Sequence, residues 1–367
     1  MEFTQERVAT LHDLTGRVPS VPTDRAAVVV PMTGRDHDTV AAERLLSALE
    51  AVSPGRVIVA LRAPQDRAGR IADWIRGFDL PVEVLWCNAD PVLSLLDERG
   101  LDGAAGKGRD VWLALGPAAE AGEYVLAHDA DSRTVTRADV ERLLFPLHRG
   151  FDFAKGYYAR VEDSRLYGRL CRLFFVPLVR ALRAGRDAPV LAYLDAFRYA
   201  LAGEVAMTAD LARAVRAERG FGFEVGTLGD AFDHAGFSGT AQVDLGRYRH
   251  DHRPVSGSAG LADMSEAVAG VLGRVLADRG IDPGYGTLRD RYRETAEGLI
   301  RQYGADAAFN DLSYDAAEER AQVAAYADAI TPPGPDDRLP AWSAVDLDPA
   351  EVRAASERAL AAPTTTA

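Results

Sequence analysis

An α/β fold is what this sequence predicts, and three observations predict it. Short apolar runs alternate with stretches of helical periodicity from residue 26 to residue 131. The first of those runs, Ala26-Ala27-Val28-Val29-Val30-Pro31, is continuous rather than alternating, as in a buried strand. From about Leu261 the pattern becomes helical and stays so. Strand–helix alternation over such a length argues for βαβ units and a mostly parallel sheet.

Taken in order, residues 4–14 read as a short helix. Strand 26–31 follows, then a helix at 40–52, a strand at 56–61, a helix at 66–77 and a strand at 82–87. Helices at 91–99 and 107–120 lead to a strand at 124–127. Beyond it come a helix at 137–147 and a strand at 153–160. A long helical run spans 164–183, with Pro177 set to kink or break it. Helices at 208–218 and 224–235 precede a late strand at 240–248. The last helices are 261–279, 284–303 and 314–330. Residues 331–342, TPPGPDDRLPAW, are a linker by composition, and the terminal AAPTTTA reads as a disordered end. The organisation expected is an N-terminal extension (1–25), a main domain (26–260), a helical C-terminal extension (261–330), and a linker with a flexible tail (331–367).

The chain has 367 residues, 47% hydrophobic and 26% charged, which is ample for a sizeable core. Its formal net charge of -13 argues against nucleic acid or an anionic membrane surface as a main partner. The two cysteines, Cys87 and Cys171, have no CxxC spacing, which favours a reducing compartment. The start lacks the basic and apolar regions of a signal peptide, and no apolar run reaches membrane-helix length. A cytoplasmic location is the expectation.

Chemistry enters at His128-Asp129-Ala130-Asp131, where the strand at 124–127 ends. The carboxyl ends of strands are where open α/β sheets place ligands. Two carboxylates there suit Mg²⁺ or Mn²⁺, which prefer oxygen ligands and often share substrate phosphates. Asp-x-Asp is a cheap pattern, and Asp36/Asp38 and Asp346/Asp348 repeat it. By position alone the middle pair is as readily two polar residues at a strand end as a metal site.

A second constellation is a local reversal of charge. Eight basic residues, Lys155, Arg160, Arg165, Arg169, Arg172, Arg180, Arg183 and Arg186, share their span with only two acids, Glu162 and Asp163. Arg165, Arg169 and Arg172 have the spacing of one helix face. A solvated basic face is the plain reading, and an anion site is the functional one. Ala105-Gly106-Lys107-Gly108-Arg109 precedes a helix, so backbone N–H groups there can meet an anion, though the segment is no P-loop. Glu224, after Gly220-Phe221-Gly222-Phe223, and Glu204, after Gly203, read as ordinary helix-end charges when taken alone. His250 and His252 point to opposite sides of an extended chain, so at most one faces a given site. A nucleotidyltransferase also holds a metal on carboxylates, but its usual glycine-rich loop is missing after the first strand.

Read together, GKGRDVWLAL, VLAHDADS, FAKGYYAR, YGRLCRLFFVPLVRAL, FRYALAGE, GFGFEVGTLGDAFD and AQVDLGRYRHDHRP resemble the glucosyl-3-phosphoglycerate synthases, from about residue 26 to residue 260. The resemblance implies a GT-A fold with a mixed sheet and a helical C-terminal extension. It implies retaining transfer of glucose from UDP-, GDP- or ADP-glucose to the 2-hydroxyl of 3-phosphoglycerate, with Mg²⁺ or Mn²⁺ as cofactor. Asp129, Asp131 and His250 match the metal site. Pro31, Lys107, Asp129, Ala130 and Asp131 match donor-binding positions. Gly168, Arg169, Cys171 and Arg253 match acceptor-binding positions. Glu224 and Asp131 stand at catalytic positions, and a homodimer is expected. Some family features are missing: PMTGRDHD and ALRAPQD replace the residues usual after the first two strands, Cys171 stands for a threonine, and Ala200 and Ala202 replace Pro and Ser. These changes bear on the base and the acceptor, so the resemblance also admits a related enzyme with a different anionic acceptor.

Overall fold

The protein is described by a computed structural model covering residues 4–250 and 257–362. Its elements, in chain order, begin with β1 (Ala9–Leu11), β2 (Ala26–Thr33), α1 (Val40–Val52), β3 (Arg56–Arg62), α2 (Gln65–Arg76) and β4 (Val82–Trp86). There follow α3 (Asp90–Glu98), α4 (Lys107–Ala121), β5 (Tyr124–Ala127), α5 (Arg137–His148), β6 (Phe153–Glu162) and β7 (Arg165–Leu166). A π-helical segment, Leu170–Phe175, runs into α6 (Val176–Arg183), and α7 (Pro189–Leu194), β8 (Val205–Thr208) and α8 (Ala209–Ala214) come next. The rest comprises α9 (Phe223–His234), β9 (Thr240–Tyr248), α10 (Gly257–Ala277), α11 (Tyr285–Phe309), α12 (Ala316–Asp328) and α13 (Pro349–Ala361).

One sheet organises these elements in the order β1-β9-β6-β8-β5-β2-β3-β4, with β7 paired to β6. The half from β5 to β4 is parallel, as the unbroken apolar runs of β2 and β3 require when both faces are covered. Strand β8 runs antiparallel to both β5 and β6, so the sheet is mixed. Its insertion brings the ends of β5, β6 and β9 together, and that junction is where the candidate site residues gather.

Three local expectations change. Residues 9–11 form an edge strand parallel to β9 instead of part of a helix, because pairing with Ala241–Val243 supplies partners that a helix would otherwise need. The Gln5 side chain completes the arrangement by bonding the N–H and C=O of Thr10. The run 164–183 is not one helix: Arg165 lies in β7, the next turn is π-helical, and Pro177 sits in the first turn of α6, where a missing N–H is harmless. Arg165 therefore does not share a helix face with Arg169 and Arg172. The helix expected over 208–218 stops at Ala214, since Ala217 exchanges two backbone hydrogen bonds with Leu339.

That exchange fastens the chain's last segment to the main body. Trp342 stacks on Trp112 with ring centroids 4.7 Å apart, and each indole N–H donates to a backbone carbonyl beside the other ring. Residues 349–361, assigned to a linker and tail from composition, form α13 against α3 and β4; the Ser356 hydroxyl accepts the N–H of Trp86. Asp348 is the N-cap of that helix, so the third Asp-x-Asp is a capping feature. Among the described residues no helix is long and apolar enough to cross a membrane.

Both cysteines are buried, and burial raises their thiols, Cys171 to about 11 and Cys87 well above the ordinary range. The reactive thiolate is therefore scarce near neutrality. The folded protein at pH 8 should react slowly with a disulfide reagent and release two equivalents only after denaturation. Rapid labelling of the native protein would show that the core opens at one of these sites.

Candidate active site

The site is assembled on Asp129, which follows β5. Its carboxylate meets the Lys107 ammonium at 2.7 Å, and the same ammonium meets Glu224 at 2.6 Å. Three segments far apart in sequence thus converge on one cation: the end of β5, the start of α4 and the start of α9. Burial works against the charge on Lys107, but the two carboxylates outweigh it and hold the ammonium well above its usual range. Asp129 is held low in turn: burial works to raise it, and Lys107, together with His128 and His250, outweighs that cost.

The start of α4 is an unexpected kind of helix end. The N–H groups of Gly108 and Arg109 donate to the carbonyls of Gly220 and Arg219. Those groups are not turned to an anion, as a helix N-terminus alone suggests. Their role is to dock the segment 218–220, which leads into α9, and so to set Glu224 beside Lys107. At Gly108 a Cβ would stand 1.7 Å from the Glu218 carbonyl oxygen, so only glycine allows this approach.

Beneath Asp129 lies a buried polar layer. At Gly203 an added Cβ would fall 2.1 Å from the Asp129 carboxylate, so the loop before β8 packs its backbone on that side chain. The next residue, Glu204, is fully buried, with neither carboxylate oxygen hydrogen-bonded among the described residues. Burial pushes Glu204 up to about 6; nearby Asp129 and Asp131 push the same way, opposed by His128 and Lys107. Lys155, also buried, donates to the Ala202 carbonyl at 2.7 Å, and burial pulls its ammonium down to about 8. Both lie within electrostatic reach of Asp129, which their sequence context does not suggest. The available signal was a lysine on an otherwise apolar strand, FAKGYY.

His250 is brought to the same junction. A backbone bridge joins it to Ser132, next to Asp131, and its N–H donates to the Glu162 carboxylate at 3.1 Å. Its ring lies 5.6 Å from that of Tyr158, which stacks on Tyr248 at 4.3 Å. The Tyr248 hydroxyl meets His128 Nε2 at 3.3 Å, while His128 Nδ1 lies 2.8 Å from the Asp129 carbonyl oxygen. His128 is thereby a buried strut below the loop. Ala130 is buried, and Pro31 lies in β2, next to β5 in the sheet. Arg253 and His252 lie outside the described residues.

Four of the eight residues of the basic island pair with acids within the chain. Arg180 and Arg183 both pair with Asp195. Arg172 binds Glu319 through two nitrogens, and Arg169 meets Glu319 at 3.0 Å and Glu318 at 2.9 Å. Arg169 remains at the surface beside Gly168. Cys171 is buried against the backbone of Ala200 and Leu201. The Asp36 carboxylate closes its own turn by accepting from the N–H and hydroxyl of Thr33. A cleft of about 560 Å³ beside β1, lined in part by His12, Asp13, Arg17 and Arg142, contains none of these groups.

No protein-family model matches the chain. It is 32% identical over 376 aligned residues to the glucosyl-3-phosphoglycerate synthase of Methanococcoides burtonii, covering 94% of this chain and 93% of that protein. It is 35% identical over 292 residues to the synthase of the same name from Persephonella marina, covering 75% and 72%. Among solved structures it is similar to the glucosyl-3-phosphoglycerate synthase of Mycobacterium tuberculosis in complex with Mn²⁺, UDP-glucose and phosphoglyceric acid. That match has a TM-score of 0.55 at 24% identity over 75% of this chain and 88% of that one, a likeness of fold.

Proposed function

The chain belongs to the glucosyl-3-phosphoglycerate synthase family, and from that premise we propose that it moves glucose from a nucleoside diphosphate to the 2-hydroxyl of 3-phosphoglycerate, with retention of configuration. The observation that carries this reading is the junction of Asp129, Lys107 and Glu224 at the carboxyl end of β5. It lies where an open α/β sheet binds ligands, in a chain similar along nearly its full length to a named synthase.

A divalent metal fits the donor set by its chemistry. Asp129, Asp131 and His250 offer two carboxylates and an imidazole, and the Ser132–His250 bridge holds the histidine's backbone beside the loop. Among the described residues no three such side chains are grouped closely enough to hold a metal by themselves. Mg²⁺ commonly takes one or two carboxylates and completes its shell with water and substrate phosphates. Bound there, Mg²⁺ or Mn²⁺ would supply a Lewis acid for the departing diphosphate.

The protein's own groups then have distinct tasks. Lys107 holds its ammonium next to Asp129, on the side where the diphosphate would gain negative charge as its bond to the sugar breaks. Glu224, held by Lys107, faces the transferred glucose. Arg169 offers a planar donor edge to the phosphate or carboxylate of the acceptor and turns an encounter into an oriented approach. Lys107 and Arg169 are cations and the Glu224 carboxylate is tied to Lys107 at 2.6 Å, so on this reading retention comes from attack on the face that the diphosphate leaves. The acceptor 2-oxygen bonds to the anomeric carbon as the bond to phosphate breaks, and its proton passes to the departing phosphate oxygen.

Incubation with UDP-, GDP- or ADP-glucose, Mg²⁺ or Mn²⁺ and 3-phosphoglycerate tests this directly. The expected product is glucosyl-3-phosphoglycerate with an α linkage at the 2-oxygen, identified by mass and NMR. Absence of that product with every donor overturns the reading, and a β linkage overturns the stereochemistry.

A further inference from the structure

The C-terminal extension reaches the proposed acceptor site and leaves a carboxylate on it. The loop between α11 and α12 docks on the hairpin at 163–166: the Ser313 N–H donates to the Ser164 carbonyl at 2.7 Å, and Ser313 bridges Arg165. This contact delivers the first turn of α12 to Arg169. Within that turn the two glutamates differ sharply. Glu319 has a side chain only 4% exposed and bonds both Arg169 and Arg172, the latter through two nitrogens. It is a fixed strut. Glu318 is 52% exposed and makes a single contact with Arg169 at 2.9 Å.

We infer that Glu318 is a specificity-determining residue that occupies the Arg169 edge in the absence of acceptor and yields it to an incoming anion. This rests on the reading of Arg169 as the acceptor clamp. The charge count supports it. Arg169, Arg172, Glu318 and Glu319 sum to zero, whereas Arg169, Glu319 and Arg172 alone carry one net positive charge. When Glu318 swings into solvent, that charge faces the site, and Glu319 keeps the guanidinium in position. A neutral acceptor cannot compete with Glu318 for a charged donor edge, but a phosphate or carboxylate can. The exchange is inexpensive because an exposed ion pair contributes little.

The test is Glu318→Gln, which keeps side-chain length and removes charge at an exposed position. KM for 3-phosphoglycerate should fall about three- to fivefold, the scale of an exposed ion pair, with kcat and donor KM unchanged. Calorimetric binding of 3-phosphoglycerate should tighten by the same factor without any donor. The double variant Glu318→Gln with Arg169→Ala should lose the gain. An unchanged or raised KM together with unchanged binding overturns the inference. The calorimetric arm separates the two claims: wild-type protein that binds 3-phosphoglycerate without turnover defeats the proposed reaction, yet tighter binding in Glu318→Gln still supports competition by Glu318.

Discussion

Lys107→Met should abolish most activity and destabilise the fold together, lowering kcat/KM by at least about 100-fold, the usual effect of deleting one preorganised charge at a reacting centre. The same change strips the shared cation from Asp129 and Glu224. Leaving such carboxylates uncompensated costs about 3 kcal/mol, at the low end for buried pairs because Lys107 and Asp129 retain some exposure. Urea unfolding and steady-state kinetics read the two effects separately. Glu224→Gln is the contrasting variant: Lys107 keeps Asp129, so stability falls by less, while turnover still drops. If Lys107→Met unfolded like the parent, the ion triad would not be the linchpin that joins β5, α4 and α9.

Gly108→Ala should produce the largest purely steric effect. The new methyl would lie 1.7 Å from the Glu218 oxygen and 3.2 Å from the Gly220 oxygen, so the segment 218–220 must retreat. Retreat stretches the two backbone hydrogen bonds that segment accepts from α4 and disturbs Glu218, whose carboxylate pairs with Arg274 of α10. Overpacking of this kind costs about 1–3 kcal/mol, and each lost hydrogen bond adds roughly 1 kcal/mol. A fall in melting temperature on the order of 5 °C is expected for a loss of that size, with activity lost because the segment carries Glu224 into place. An unshifted melting curve would mean the helix start tolerates a side chain and the docking is looser than described.

The parts legible in the sequence were those governed by local pattern. Short apolar runs mark β2 to β5, and the place of Asp129 and Asp131 follows from β5 alone. Lys107, Glu224 and His250 needed the resemblance, because nothing near them in sequence reveals their meeting. Lys107 finds Asp129 22 residues on and Glu224 117 residues on. The partners of the basic island are hidden for the same reason. Its charge looked unmatched within a 32-residue window, while Glu319 lies 147 and 150 residues from Arg172 and Arg169. Composition also hid α13, since a proline-rich stretch ahead of it reads as a linker even though Trp342 and Ser356 anchor it to the core. A glutamate after glycine is ordinary in sequence, and only its complete burial marks Glu204.

The central claim is that the junction after β5 holds a nucleoside diphosphate through a divalent metal. Calorimetric titration of UDP into the protein, with Mn²⁺ and with a chelator, tests it most directly when repeated on Asp131→Ala. The account predicts tight binding only in the presence of metal and loss of that metal dependence in the variant, with an unchanged melting temperature confirming its fold. Equal binding with and without Mn²⁺, unaffected by Asp131→Ala, would contradict it.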